Sequence, residues 1–153
     1  MTSLASTTVP RRPVPAVPRP GDRLQGAHWL RGLRETYFAE VTADLTRPLC
    51  VGLYVLVDDG QDPATRLATA HGLAAAQGWA VSFRTFDRTG PTDPATRPQL
   101  ARACHAVTHG EINGIVIASR TDISPYDDHY EATLRRLRTH GGFLAPALPE
   151  TAT

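Results

Sequence analysis

Leu49-Cys50-Val51-Gly52-Leu53-Tyr54-Val55-Leu56-Val57-Asp58-Asp59-Gly60 is the stretch that decides the fold class. From Cys50 to Val57 the run is apolar without a break, as expected of a strand buried on both faces of a parallel sheet. It stops abruptly at two carboxylates and a glycine, a turn signal. Downstream, residues 63–77 are alanine-rich with Leu67, Ala70 and Ala74 on one face, which predicts a helix closed by Gly78. Trp79 to Phe83 alternates as a strand. A turn-rich segment from Asp87 to Pro94 leads to residues 97–109, helical in spacing, with Leu100, Ala103, Cys104 and Val107 facing inward. Asn113-Gly114 introduces a second buried strand, Ile115 to Ala118. Residues 126–140 predict a third helix with Leu134 and Leu137 inward, Gly141-Gly142 ends it, and Phe143 to Ala145 is a short last strand. Strands alternating with helices imply a three-layer α/β sandwich around a four-stranded, mostly parallel sheet over residues 48–150. Ligands of such sheets gather at the carboxyl ends of the strands, which places Asp58, Asp59 and the segment from Ser119 to Ser124 on the candidate edge.

Upstream the character changes twice. Residues 26–47 carry an apolar stripe of Trp29, Leu30, Leu33, Tyr37, Phe38 and Val41 at helical spacing, extended by Leu45 and followed by Pro48. The stripe suits packing on its own sheet or docking on another surface. Its width, and its place outside the alternating part, favour an interaction element that the α/β domain can fold without. Residues 1–25 hold Pro10, Pro13, Pro15, Pro18 and Pro20 among arginines and read as a disordered tail.

Composition narrows the chemistry. The formal net charge is +1, and every one of the 16 cationic side chains is arginine. A site that pairs a phosphoryl group with a lysine is therefore excluded. Residues 1–48 are net basic and residues 49–153 net acidic, so the folded part carries no field that recruits nucleic acid. Cys50 and Cys104 sit in apolar patterns and read as core thiols. No run approaches a membrane span, and no apolar segment follows the first arginines as in a secretory signal, so a cytoplasmic location is expected. Glycine-rich phosphate loops are absent. His105 and His109 have ligand spacing but no companion motif, and Asp127-Asp128 suits the start of a helix. Asp58, Asp59 and Asp122 could together hold Mg²⁺ if the fold brings them within a few ångströms.

Taken in order, the segments resemble the catalytic domain of serine recombinases of the resolvase and invertase type, over about two-thirds of the chain. That family's first strand runs Tyr-x-Arg-x-Ser and is followed by a helix and Gly-Trp-x-Val. Here the corresponding segments are Tyr54-Val55-Leu56-Val57-Asp58 and Gly78-Trp79-Ala80-Val81. An acidic turn then leads to Arg97-Pro98-Gln99-Leu100, matching Arg-Pro-x-Leu. Gly114-Ile115-Val116-Ile117 precedes Thr121-Asp122-Ile123-Ser124-Pro125, where the family has Asp-Arg-Leu-Ser-Arg, and Pro149-Glu150 also fits. The resemblance implies a serine nucleophile and arginines that neutralise the attacked phosphate. The serine position is Asp58 here. Leu56, Asp122 and Pro125 stand at arginine positions, Thr121 at the aspartate, and Arg97 alone matches a family active-site arginine. No segment after the last strand corresponds to the family's DNA-binding region. The expected function is a catalytically inactive recombinase-like module that contacts a protein or its own copy, with DNA binding weak or absent and no cofactor. The alternatives are a Mg²⁺-dependent enzyme built on Asp58, Asp59 and Asp122, or residual DNA association through the basic tail.

Overall fold

The computed structural model describes residues 20–152, with side chains from residue 24 onward. Four strands, β1 (Cys50–Leu56), β2 (Ala80–Asp87), β3 (Gly114–Ile117) and β4 (Phe143–Pro146), form one sheet in the order β2-β1-β3-β4. Every pairing is parallel. Four α-helices accompany them: α1 (Pro20–Thr42), α2 (Ala64–Gln77), α3 (Pro98–Thr108) and α4 (Asp127–Thr139). The three-layer expectation holds, and nearly every predicted element lies within a few residues of its expected bounds.

Strand β1 shows why the deciding stretch is apolar throughout. Val51, Leu53 and Val55 pack under α2, while Tyr54 turns to the face that carries α3 and α4. Gly52 has no side chain because the Phe83 ring lies where its Cβ would be. Gly114 is covered by the Phe143 ring in the same way. Strand β2 runs four residues beyond the expected end at Phe83. Phe86 extends it by packing with Leu67 beside Val55 and Val57. At the end of the strand, the buried Asp87 accepts from Gln99 N at 3.1 Å and Leu100 N at 3.0 Å, so it caps α3. Helix α2 ends at Gly78 in the left-handed region, as expected.

The amino-terminal helix departs most from expectation. It begins at Pro20, where a missing N–H costs nothing in a first turn, and ends at Thr42, not at residue 47. Residues 1–19 of the proline-rich segment lie outside the described residues. The apolar stripe is largely used within the chain. Leu30 is fully buried, with Leu33 and Tyr37 packed beside it on the α4 side. Phe38 and Val41 pack on the α2 side, and Phe38 meets Phe143 edge-on with ring centroids 4.8 Å apart. Only Trp29 of the six is exposed. Helix α1 thus lies along α4 and β4 and covers the β4 edge of the sheet. The expectation of a helix dispensable to the domain is corrected: its two apolar flanks complete both cores.

One buried ion pair fastens this helix. Arg34 donates to Glu150 from Nε at 2.6 Å and from Nη2 at 3.0 Å, and Tyr130 Oη donates to the same carboxylate at 2.7 Å. The Glu150 side chain has no exposed surface. Burial pushes its pKa up, but hydrogen bonds from Arg34 and Tyr130 and the Arg34 charge together hold it below the ordinary value. Burial, reinforced by Glu150, pushes the Tyr130 hydroxyl well up.

Removing one partner of such a pair typically costs about 3–5 kcal/mol, because the other charge stays buried. Arg34→Ala is expected to lose stability of that order in urea unfolding. A folded carboxyl below the unfolded value of about 4.3 contributes stability above that pH and loses it as pH falls through the folded value. Melting temperature should therefore drop with acidification below about pH 4, and the drop should be shallower in Glu150→Gln. A truncation to residues 48–153 should be unfolded or molten by circular dichroism.

Candidate functional site

Helix α2 lies on one face of the sheet and α3 and α4 on the other, so the winding reverses between β1 and β3. Neighbouring strands at such a reversal splay at their carboxyl ends and leave a crevice, the usual ligand position in open α/β sheets. Here the two strands pair from Val51–Gly114 to Leu53–Val116 and no further. The crevice beyond is occupied by the chain itself. A short 3₁₀ turn, Arg120–Asp122, follows β3 and swings Asp122 back into it.

Asp122 is completely buried and its carboxylate is saturated. Oδ1 accepts from Leu56 N at 2.9 Å and from Arg66 Nε at 3.0 Å and Nη2 at 2.8 Å. Oδ2 accepts from Ala118 N at 2.8 Å and Ser119 N at 3.0 Å. One side chain thereby joins the end of β1, the chain just after β3, and α2. Arg66 Nη2 also donates to Ser119 Oγ at 3.1 Å, and that hydroxyl bonds Thr121 Oγ1 at 2.8 Å. Arg66 stands in the first turn of α2, where the helix dipole disfavours a cation. The Asp122 carboxylate explains its place there.

Arg97 is 1% exposed, so it does not present a charge to a ligand. Its guanidinium donates to the Asp122 carbonyl at 2.8 Å, the Thr92 carbonyl at 2.6 Å and Thr92 Oγ1 at 3.4 Å. Beside it, Tyr54 Oη donates to Asp87 at 2.9 Å. Burial raises the Tyr54 pKa above that of an ordinary tyrosine, and the Asp87 charge adds to this while Arg97 opposes it. Asp87 and Arg97 thus act on Tyr54 in opposite directions, and they form no ion pair with each other among the described residues.

The other expected positions stay apart. Asp58 and Asp59 are exposed in the turn after β1, where Asp58 N donates to Gln61 Oε1 at 3.0 Å. Leu56 is half-buried, while Thr121 and Pro125 are exposed. Arg120 pairs with Asp127 at 2.8 Å, its guanidinium 5.2 Å from the Tyr130 ring centroid. Among the described residues, no three His, Cys, Asp or Glu side chains are grouped to hold a metal ion. The joint Mg²⁺ site of Asp58, Asp59 and Asp122 is therefore corrected. Asp122 already takes five donors and points into the sheet, while the other two point to solvent. Cys104 is buried, which pushes its thiol pKa up; Cys50 is half-buried. Sequence reasoning missed Arg66, Asp87, Arg34 and Glu150. Only Arg66 carried a local signal, as a cation in a helix's first turn.

Asp122→Ala would leave Leu56 N, Ala118 N, Ser119 N and the Arg66 guanidinium without their acceptor. A loss of about 3–5 kcal/mol is expected in chemical denaturation, against at most about 0.5 kcal/mol for the exposed Asp58→Asn. Equal effects of the two substitutions would contradict this assignment.

No family model matches this sequence, and no curated protein does. Solved structures match in fold. The C-terminal catalytic domain of ISC1926 TnpA, an IS607-like serine recombinase, superposes with a TM-score of 0.59 at 14% identity, over 66% of this chain and 72% of that one. The N-terminal catalytic domain of TP901-1 integrase gives 0.57 at 16% identity, over 64% and 76%. The first ORF in transposon ISC1904 from Sulfolobus solfataricus P2 gives 0.51 at 14% identity, over 67% and 70%. At these identities the likeness establishes architecture: the α/β fold of this chain is that of serine recombinase catalytic domains.

Proposed function

We propose that this chain is a recombinase-fold module that does not break DNA and acts through contact with another protein. The observation that carries this reading is the carboxyl edge of the sheet. Asp122 fills the crevice between β1 and β3 and is neutralised by Arg66. Arg97, at the one matching arginine position, is held by two carbonyls and a hydroxyl. Asp58, at the serine position, is an exposed carboxylate, which neither attacks a phosphodiester under ordinary conditions nor attracts one. An attacked phosphate develops charge that aimed cationic donors must stabilise, and the loss of one such donor typically costs about 10²–10³ in rate. At this edge the cations are turned to structural partners. Strand cleavage would need both a new nucleophile and a rebuilt electrostatic environment.

The alternative of a divalent-metal enzyme on the three aspartates is not supported by the geometry described above. Among the described residues no helix is long and apolar enough to cross a membrane.

The test is a trapping assay. Supercoiled and linear duplex DNA incubated with the protein should yield no covalent protein–DNA adduct after denaturation, and no relaxation. Asp58→Ser alone should remain inactive, because Leu56 still stands at the position of an arginine and Arg97 stays bound inward. An adduct formed by the unsubstituted chain would overturn the reading. Activity gained by Asp58→Ser would show that the surrounding cations are available to a phosphate after all.

A further inference from the structure

The two edges of the sheet are treated differently. Helix α1 lies along β4, whereas β2 ends the sheet with no strand paired to its outer side among the described residues. The Asp87 carbonyl faces β1, accepting from Val57 N at 3.0 Å. Successive residues of a strand direct their backbone groups to opposite sides, so the N–H and C=O of Arg84 and Phe86 point outward. These outward groups are the template that an added strand would use.

A groove of about 650 Å³ runs between this edge and α3. Phe83 and Ala106 supply its apolar surface, Thr85 and Gln99 bond each other at 2.9 Å at one end, and Glu111 is its single acid. Arg84, Arg102 and His105 also line it. Among the described residues neither Arg84 on β2 nor Arg102 on α3 forms an ion pair. Unpaired backbone, a patch of apolar surface and the Arg102 cation therefore meet in this groove, while the Arg84 side chain, alternating with Phe83 and Thr85, stands on the α2 face of the same edge.

We infer that the β2 edge receives an extended acidic segment of a partner protein as a fifth strand. This rests on the reading of the chain as a protein-contact module and gives that reading a surface and a partner chemistry. The backbone of β2 would supply the ladder, the groove floor would take an apolar side chain, and Arg102 on the α3 face and Arg84 on the α2 face would each select for a carboxylate. A second copy fits poorly, because pairing two β2 edges would bring like charges together at Arg84, a known device against edge-to-edge association. Nucleic acid fits poorly too. Two arginines neutralise at most a couple of phosphates, and strand-edge amides do not match the phosphate backbone.

The probe is a blocked eight-residue peptide of glutamates with valine at positions 3 and 6, which presents carboxylates on both faces of an added strand, titrated into the full chain by fluorescence anisotropy. It should bind at least about tenfold more tightly than the same peptide with lysine for glutamate. N-methylation of alternate peptide amides should abolish binding without changing charge, because it removes the ladder donors. Arg84→Glu with Arg102→Glu should weaken binding by about tenfold or more, whereas Arg31→Ala on α1 should not. In amide NMR spectra, Arg84 and Phe86 should shift on peptide addition. The inference is overturned if no peptide binds, if the lysine or N-methylated peptide binds as well, or if a short duplex DNA displaces the acidic peptide. It is also overturned if light scattering reveals a dimer that Arg84→Glu dissociates. Peptide failure would leave the absence of DNA cleavage standing, while a trapped DNA adduct would sink the non-catalytic reading whatever the peptide does.

Discussion

The Asp122 carboxylate is the contact on which the sheet's working end depends. Where the winding reverses, β1 and β3 must part, and their terminal amides lose strand partners. Water or a ligand usually fills that place in open α/β sheets. Asp122 fills it instead, taking Leu56 N from one strand end and Ala118 N and Ser119 N from the other, with Arg66 from the covering helix. A buried carboxylate is tolerable only when it is paired and hydrogen-bonded, and both conditions are met. The same turn aims the Asp122 carbonyl at Arg97, so the cation that could serve a ligand is drawn into the scaffold too. Rigidity at this edge and the inward hold on Arg97 have one origin.

A second buried pair, Arg34 with Glu150, does for the amino-terminal helix what Asp122 does for the sheet. Its partners stand 116 residues apart, so it closes the chain on itself. Apolar packing by Leu30 and Phe38 is not directional. The bidentate pair, with Tyr130 Oη as a third participant, fixes how α1 sits across the β4 edge. Helix α1 is thereby part of the domain in both packing and electrostatics. This is why the stripe width alone misled: a helix lying along a sheet edge meets both faces and needs a broader apolar surface than one lying on a single face.

The architecture was legible because it rests on local periodicity. The unbroken run from Cys50 to Val57, the alanine-rich face of α2 and the Leu134–Leu137 spacing each record a burial pattern directly in the sequence. The segment order also carried the recombinase resemblance that the solved structures bear out at the level of fold. The site was much less legible. Asp58 and Asp122 look alike in sequence, each an acid near the end of a buried strand, yet one is exposed and the other is buried under five hydrogen bonds. What separates them is a three-residue 3₁₀ turn that points Asp122 backwards, and non-local donors decided its role. Composition could suggest a charge inversion of the edge. It could not reveal that Arg66 cancels half of it.

Edge chemistry follows from the same folding constraints. A parallel sheet of four strands always has two edges, and a chain of this size has few elements with which to cover them. This one uses α1 and a buried ion pair for β4 and leaves β2 with an arginine on its rim. Arginine on a bare edge is protective against self-pairing, because an identical edge brings an identical charge. That protection is selective by sign, and opposite charge turns a barrier into recognition. Among the described residues Asp122 occupies the carboxyl edge and α1 packs along β4, while the outward N–H and C=O of Arg84 and Phe86 have no strand partner.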